Sequence, residues 1–135
     1  MHGHRRHFRA RGRRQIAPGE YAVRARVERF GEAALLLLLS ERPTHGYELL
    51  DALPGLTGEE RVDVGNLYRV LRGLEEERLV RSEWSGDLPG PAKRTYWLTD
   101  DGRAALTAWL EGLGALRTEL DAFLDRAKGG EHART

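Results

Sequence analysis

The sequence predicts a mainly α fold with one small β-hairpin and a long C-terminal helix. Three observations carry this. Residues 62–80, VDVGNLYRVLRGLEEERLV, place Leu67, Leu71 and Leu74 at i, i+4, i+7, the single apolar stripe of an amphipathic helix. Residues 81–85 and 93–98 are short, strand-like and rich in aromatic and polar side chains, and GDLPGPA at 86–92 between them is a dense turn signal. Leu106, Leu113, Leu120 and Ala127 repeat every seven residues, with Trp109, Leu110, Leu116, Phe123 and Leu124 at the offset positions, an a/d seam over about three heptads.

The chain of 135 residues is long enough for one independently folding core. Its net charge of +1 is unevenly spread. Residues 1–26 hold eight Arg against one acid, Glu20, for +7; residues 27–135 hold fourteen Lys and Arg against twenty acids, for −6. Residues 1–20 are therefore expected to be a disordered basic arm, since MHGHRRHFRARGRRQIAPG has no apolar periodicity. No apolar core of 7–15 residues follows its charges, which excludes a secretory signal. His2, His4 and His7 lack a partner carboxylate or Cys, so a solvated tail explains them better than a metal site, and no metal or cofactor is expected.

Residues 21–98 are expected to form the folded domain. The first helix covers 21–41, with Val23, Val27, Phe30, Ala34, Leu35 and Leu38 at helical spacing and an apolar run at 35–39 that needs burial on nearly all sides. Five residues are far short of the ~20 needed to cross a bilayer, so no membrane segment is expected. Pro43 breaks the chain, and Thr44 caps a second helix over 45–53, with Tyr47, Leu50 and Leu53 as its core face and Pro54-Gly55 as its end. Asp63 caps the third helix, whose opposite face carries Gly65, Arg69 and Arg72. Its charge order is unusual. Arginines occupy the first half and Glu75, Glu76 and Glu77 the end, against the helix dipole by about 0.3–1 kcal/mol per exposed charge. A helix presenting its N-terminal half to phosphates accounts for this; a solvated charged face is the plainer reading. Trp84, Tyr96 and Trp97 are expected to pack the hairpin on the helices. Thr99 caps the last helix, 99–128, with Asp100 and Asp101 favourable to its dipole, and 129–135 is expected to be a disordered tail.

Helix, helix, then a hairpin with basic residues is the order of a winged helix-turn-helix DNA-binding domain. In that frame Asn66, Tyr68, Arg69 and Arg72 are candidates for the major groove, with Arg69 and Arg72 suited to bidentate guanine contacts. Thr44 and His45, at the start of the second helix, are candidates for a phosphate. Lys93 and Arg94 adjoin the hairpin tip and point to opposite faces, so one of the two is expected to reach DNA. Arg5, Arg6, Arg9, Arg11, Arg13 and Arg14 on the arm can follow the backbone or enter a narrow minor groove; an unselected extension, or a tail touching RNA or lipid, is the alternative.

HGYELL at 45–50, NLYRVLRGLEEERLV at 66–80 and GPAKRTYWLTDDG at 90–102 together resemble the PadR family of transcriptional regulators, a resemblance spanning about residues 27–127. One position departs from it: family members usually carry Gly where this chain has Arg78. A left-handed residue after the helix suits Gly, and Arg there costs roughly 1 kcal/mol. The resemblance implies a homodimeric regulator of double-stranded DNA, in most cases a repressor released by a small molecule, phosphorylation or another signal. The pairing residues are Leu106, Trp109, Leu110, Leu113, Leu116, Leu120, Phe123 and Leu124. Related regulators bind planar or phenolic compounds between domains, which makes Trp109 a candidate for a small aromatic effector, against the commoner reading of packed core.

Other functions are excluded or secondary. There is no phosphate-cradling glycine loop, no HExxH and no cysteine nucleophile, so no enzymatic activity is expected. The absence of cysteine fits a reducing cytoplasm. The acidic body supports one alternative, a winged-helix protein-interaction module that does not bind DNA.

Overall fold

The computed structural model describes residues 13–23, 30–58, 63–85 and 93–134. Their elements run β1 (Arg13–Ala17), β2 (Glu20–Val23), α1 (Phe30–Glu41), β3 (Thr44–His45), α2 (Gly46–Thr57), α3 (Val64–Glu76), β4 (Val80–Ser85), β5 (Lys93–Leu98) and α4 (Asp100–Arg134). The hairpin tip, 86–92, lies outside the described residues, as do residues 1–12.

The core is the meeting of α1, α2 and α3 beneath a three-stranded antiparallel sheet ordered β3-β5-β4. In α1, Ala33, Ala34, Leu35, Leu36 and Leu39 are buried, whereas Leu37 and Leu38 of the apolar run are half-buried against the core. Leu49 and Leu53 of α2, Leu67, Leu71 and Leu74 of α3, Val80 and Tyr96 of the sheet and Leu106 of α4 complete the cluster. The hairpin register pairs Val80 with Leu98, Ser82 with Tyr96 and Trp84 with Arg94.

Five expectations about elements are corrected. Residues 13–23 are an antiparallel hairpin, with Arg13 opposite Val23 and Ala17 opposite Glu20. Pro18 presets the turn and Gly19 takes a φ of 76°, a conformation in which glycine meets no Cβ penalty. The arm is therefore not featureless up to residue 20, and residues 21–23 are strand rather than the start of the first helix. The second helix runs through Pro54 to Thr57. Pro54 forfeits one intrahelical bond near the end, and the stop comes at Gly58, left-handed at φ 74°, whose N–H bonds the Pro54 carbonyl at 3.0 Å. Its cap is not Thr44, which lies in β3 opposite Tyr96. His45 is the cap residue, and its N–H donates to Glu48 Oε1 at 3.4 Å. Finally, α4 continues through Gly129 and Gly130 to Arg134, so residues 129–134 are helical. Extending a long helix needs no new nucleus, which offsets the cost of two glycines, about 1 kcal/mol each.

The turn after α3 is a Schellman motif: Leu79 N–H bonds the Leu74 carbonyl at 2.9 Å and Arg78 N–H the Glu75 carbonyl at 3.0 Å. Arg78 holds the left-handed position at φ 63°. The start of α4 locks this turn. Thr99 Oγ1 donates to the Arg78 carbonyl at 2.7 Å, and Thr99 N–H donates to the Leu79 carbonyl at 3.1 Å. A Cβ on Gly102 would overlap the Leu79 carbonyl oxygen and the Leu98 side chain, so glycine is what lets α4 start this close. Among the described residues no helix is long and apolar enough to cross a membrane.

Candidate nucleic-acid interface

Asp63 begins α3 as the sequence predicts: its Oδ1 accepts from Gly65 N–H at 2.9 Å and Asn66 N–H at 3.4 Å. With the leucine stripe sunk in the core, Asn66, Arg69 and Arg72 face solvent. Arg69 and Arg72 make no hydrogen bond or ion pair among the described residues, leaving all ten guanidinium N–H donors of the pair for an external acceptor. Tyr68 sits at the border. It is 38% exposed, and its ring and hydroxyl rest where a side chain on Gly46 would have to go. Gly46 thereby permits the N-terminal turns of α2 and α3 to touch.

Beside them lies an open cleft of about 360 Å³, lined by His45, Gly46, Tyr47, Tyr68, Trp84, Lys93, Arg94 and Tyr96. Lys93 Nζ stands 5.4 Å from the Tyr47 ring centre, and His45 stacks on Tyr47 at 5.5 Å. The His45 ring also shares a hydrogen bond with Thr95 Oγ1, at 3.0 Å from Nδ1. Tyr47 and Trp84 contradict their sequence reading as core, being 49% and 64% exposed. The core face of α2 is Gly46, Leu49 and Leu53, one residue out of phase with the reading that used Tyr47. Trp84 lies under the Arg94 guanidinium at 5.4 Å instead of reaching the helices. An aromatic next to a cation was the signal available for this cleft.

Two DNA candidates change status. Thr44 is buried, 6% exposed, and its hydroxyl donates to the Arg42 carbonyl at 2.9 Å, so it has no surface for a phosphate. Arg94 is committed within the chain: its Nη2 donates to Glu75 Oε1 at 3.1 Å and its Nε to Ser82 Oγ at 2.7 Å. Arg13 and Arg14 are in β1, whereas Arg5, Arg6, Arg9 and Arg11 lie outside the described residues, as do His2, His4 and His7. No cluster of metal-ligating side chains occurs among the described residues.

The α4 seam divides in two. Leu106 is in the chain's own core, a correction to its place among the pairing residues: α4 packs on α1 there. Trp109 packs at the core edge, and its Nε1–H donates to Glu32 Oε2 on α1 at 2.7 Å. Beyond it, Leu110, Leu120, Phe123 and Leu124 are 53%, 52%, 70% and 54% exposed, with Leu113 and Leu116 half-buried.

Three helices, a two-stranded wing whose β5 also pairs with a short strand before α2, and an arginine-bearing third helix define a winged helix-turn-helix domain. The family model described as transcriptional regulator PadR-like matches residues 35–108. The chain belongs to this PadR-like family of transcriptional regulators, which is not a family of enzymes. Among solved structures, a PadR-like transcriptional regulator of Bacillus cereus is 26% identical with a TM-score of 0.61, over 69% of this chain and 89% of that one. A Thermoplasma acidophilum protein assigned to transcriptional regulation is 30% identical with a TM-score of 0.59, over 71% and 90%. Bacillus subtilis PadR, solved with operator DNA, is 25% identical with a TM-score of 0.54, over 62% of this chain and 48% of that one. No curated protein sequence matches the chain.

Proposed function

We propose that the chain is a homodimeric repressor that reads double-stranded DNA through α3, working in the cytoplasm. The observation that carries this is the exposed side of α3 bearing Asn66, Arg69 and Arg72, with Tyr68 of the same helix and Lys93 of the wing lining the cleft at the N-terminus of α2. Arg69 and Arg72 fit bidentate guanine recognition, each contact discriminating by about 1–3 kcal/mol. Lys93, His45 and the free N–H groups at the start of α2 fit the flanking phosphates. The operator complex of the Bacillus subtilis relative supports the same use of the fold.

Pairing through α4 supplies the second half-site. Leu110, Leu113, Leu116, Leu120, Phe123 and Leu124 form a stripe too exposed for a lone helix, and a second copy of α4 covers it by heptad packing. Repression follows from occupancy of the operator. A small aromatic effector near Trp109 would release it by shifting α4 on α1, since Trp109 already ties the two through Glu32. Basic residues 5, 6, 9, 11, 13 and 14 add backbone contacts that an acidic body needs.

A gel shift on the DNA upstream of the chain's own coding sequence, repeated over a salt series, tests the reading. Binding that weakens steeply with salt and is lost in Arg72→Ala supports it. Salt-insensitive or absent binding by a folded dimer favours the protein-interaction module instead.

A further inference from the structure

Glu75 on α3, Ser82 on β4 and Arg94 on β5 close a ring of hydrogen bonds. Arg94 Nη2 donates to Glu75 Oε1 at 3.1 Å, Arg94 Nε to Ser82 Oγ at 2.7 Å, and the Ser82 hydroxyl to Glu75 Oε2 at 2.5 Å. The register places Ser82, Trp84, Arg94 and Tyr96 on one face of the wing, the face toward α3. There the guanidinium carbon lies over two aromatic rings, 5.4 Å from the centre of Trp84 and 5.9 Å from that of Tyr96. Lys93 and Thr95 occupy the other face. Both carboxylate oxygens of Glu75 are engaged, and the side chains of Arg94 and Glu75 are 38% and 32% exposed.

We infer that Arg94 is a positioning residue that fixes the wing against the reading helix, and that Lys93 alone is the wing strand's phosphate contact. The ring explains two facts together. Glu75 stands near the C-terminal end of α3, where the dipole disfavours an acid, because Arg94 and Ser82 hold it. The adjacent cations Lys93 and Arg94 divide their roles because strand neighbours point to opposite faces. A planar guanidinium with several fixed donors can join two acceptors on different elements, and a lysine cannot reproduce that geometry.

The inference rests on α3 being the DNA-reading helix, and its test separates the two. Binding of a duplex carrying the upstream region is measured over a salt series for Lys93→Gln, Arg94→Gln, Glu75→Gln and Ser82→Ala. Lys93→Gln is expected to lower the slope of log affinity against log salt by about 0.9 per subunit. Arg94→Gln is expected to lower affinity about tenfold, the effect of one charge-assisted hydrogen bond, with the slope unchanged. Glu75→Gln removes a negative charge close to the DNA face, so simple electrostatics predicts tighter binding; the ring predicts weaker binding, and the Glu75→Gln/Arg94→Gln pair no weaker than either alone. Ser82→Ala keeps both charges and moves in the same direction, which covers the case of a charge variant that melts early. A slope that falls in Arg94→Gln as it does in Lys93→Gln, or tighter binding in Glu75→Gln, overturns the inference. Should the parent chain bind no DNA, the proposed function fails, yet the positioning role stays measurable. Backbone order parameters at Ser85 and Lys93 are expected to fall in Arg94→Gln, and unchanged values overturn it.

Discussion

Arg78 is the residue at which sequence and backbone disagree most openly. Its φ of 63° is the left-handed conformation that glycine adopts freely, and the Schellman bonds and Thr99 hold it there. Arg78→Gly is therefore expected to stabilise the protein by about 1 kcal/mol in urea unfolding, with DNA affinity unchanged. Gly102 shows the opposite constraint. Gly102→Ala must push α4 off the Leu79 carbonyl or displace Leu98, and a loss of about 2–3 kcal/mol is expected by the same measurement. At Tyr96, burial raises the hydroxyl above its ordinary value of 10.0, with Arg94 opposing. A raised value favours the protonated form in the folded chain. Its contribution to stability is full below about pH 10 and is lost as pH rises through the folded value. Tyr96→Phe should flatten that alkaline decline in a pH series of melting curves. Arg72→Ala carries the reading role: weaker operator binding with little change in melting temperature is the expected result.

At the scale of elements, periodicity made α1, α3 and α4 legible, and composition with a turn signal made the wing legible. What escaped was set by single residues or by distance in the chain. A two-residue strand such as β3 has no period to detect. Pro54 reads as a stop, yet one lost hydrogen bond is tolerable when Gly58 supplies a proper end. Pro18-Gly19 between Ile16 and Tyr21 was a hairpin signal hidden inside a run of arginines. The Glu75–Arg94 pair spans 19 residues and the Trp109–Glu32 bond 77, separations at which no local pattern operates. The split role of α4 follows from the same limit, since a heptad stripe does not say which leucine meets its own domain and which a partner. Leu120→Glu is expected to give a folded monomer by sedimentation, because Leu120 is half exposed. Leu106→Glu should unfold the chain, because it buries an unpaired charge. A folded, dimeric Leu120→Glu protein would remove α4 as the pairing element.

On the scale of the whole molecule, charge is arranged against the acidic body of the chain: +7 in residues 1–26 and −6 in the remainder. The proposed DNA contacts draw their positive charge from Arg69, Arg72, Lys93 and the arm. Deleting residues 1–12 spares the β1–β2 hairpin and removes Arg5, Arg6, Arg9 and Arg11 from each subunit. The salt slope is expected to fall by several units in the dimer, while helical content and dimerisation stay the same. An unchanged slope would place the arm away from DNA. Footprinting the dimer on the upstream DNA, beside Arg69→Ala and Arg72→Ala, shows whether paired α3 helices read an operator. Two protected half-sites about one helical turn apart are expected, with guanines whose protection each arginine variant selectively loses. Protection that is absent, or identical in parent and variants, would rule out α3 as the reading helix.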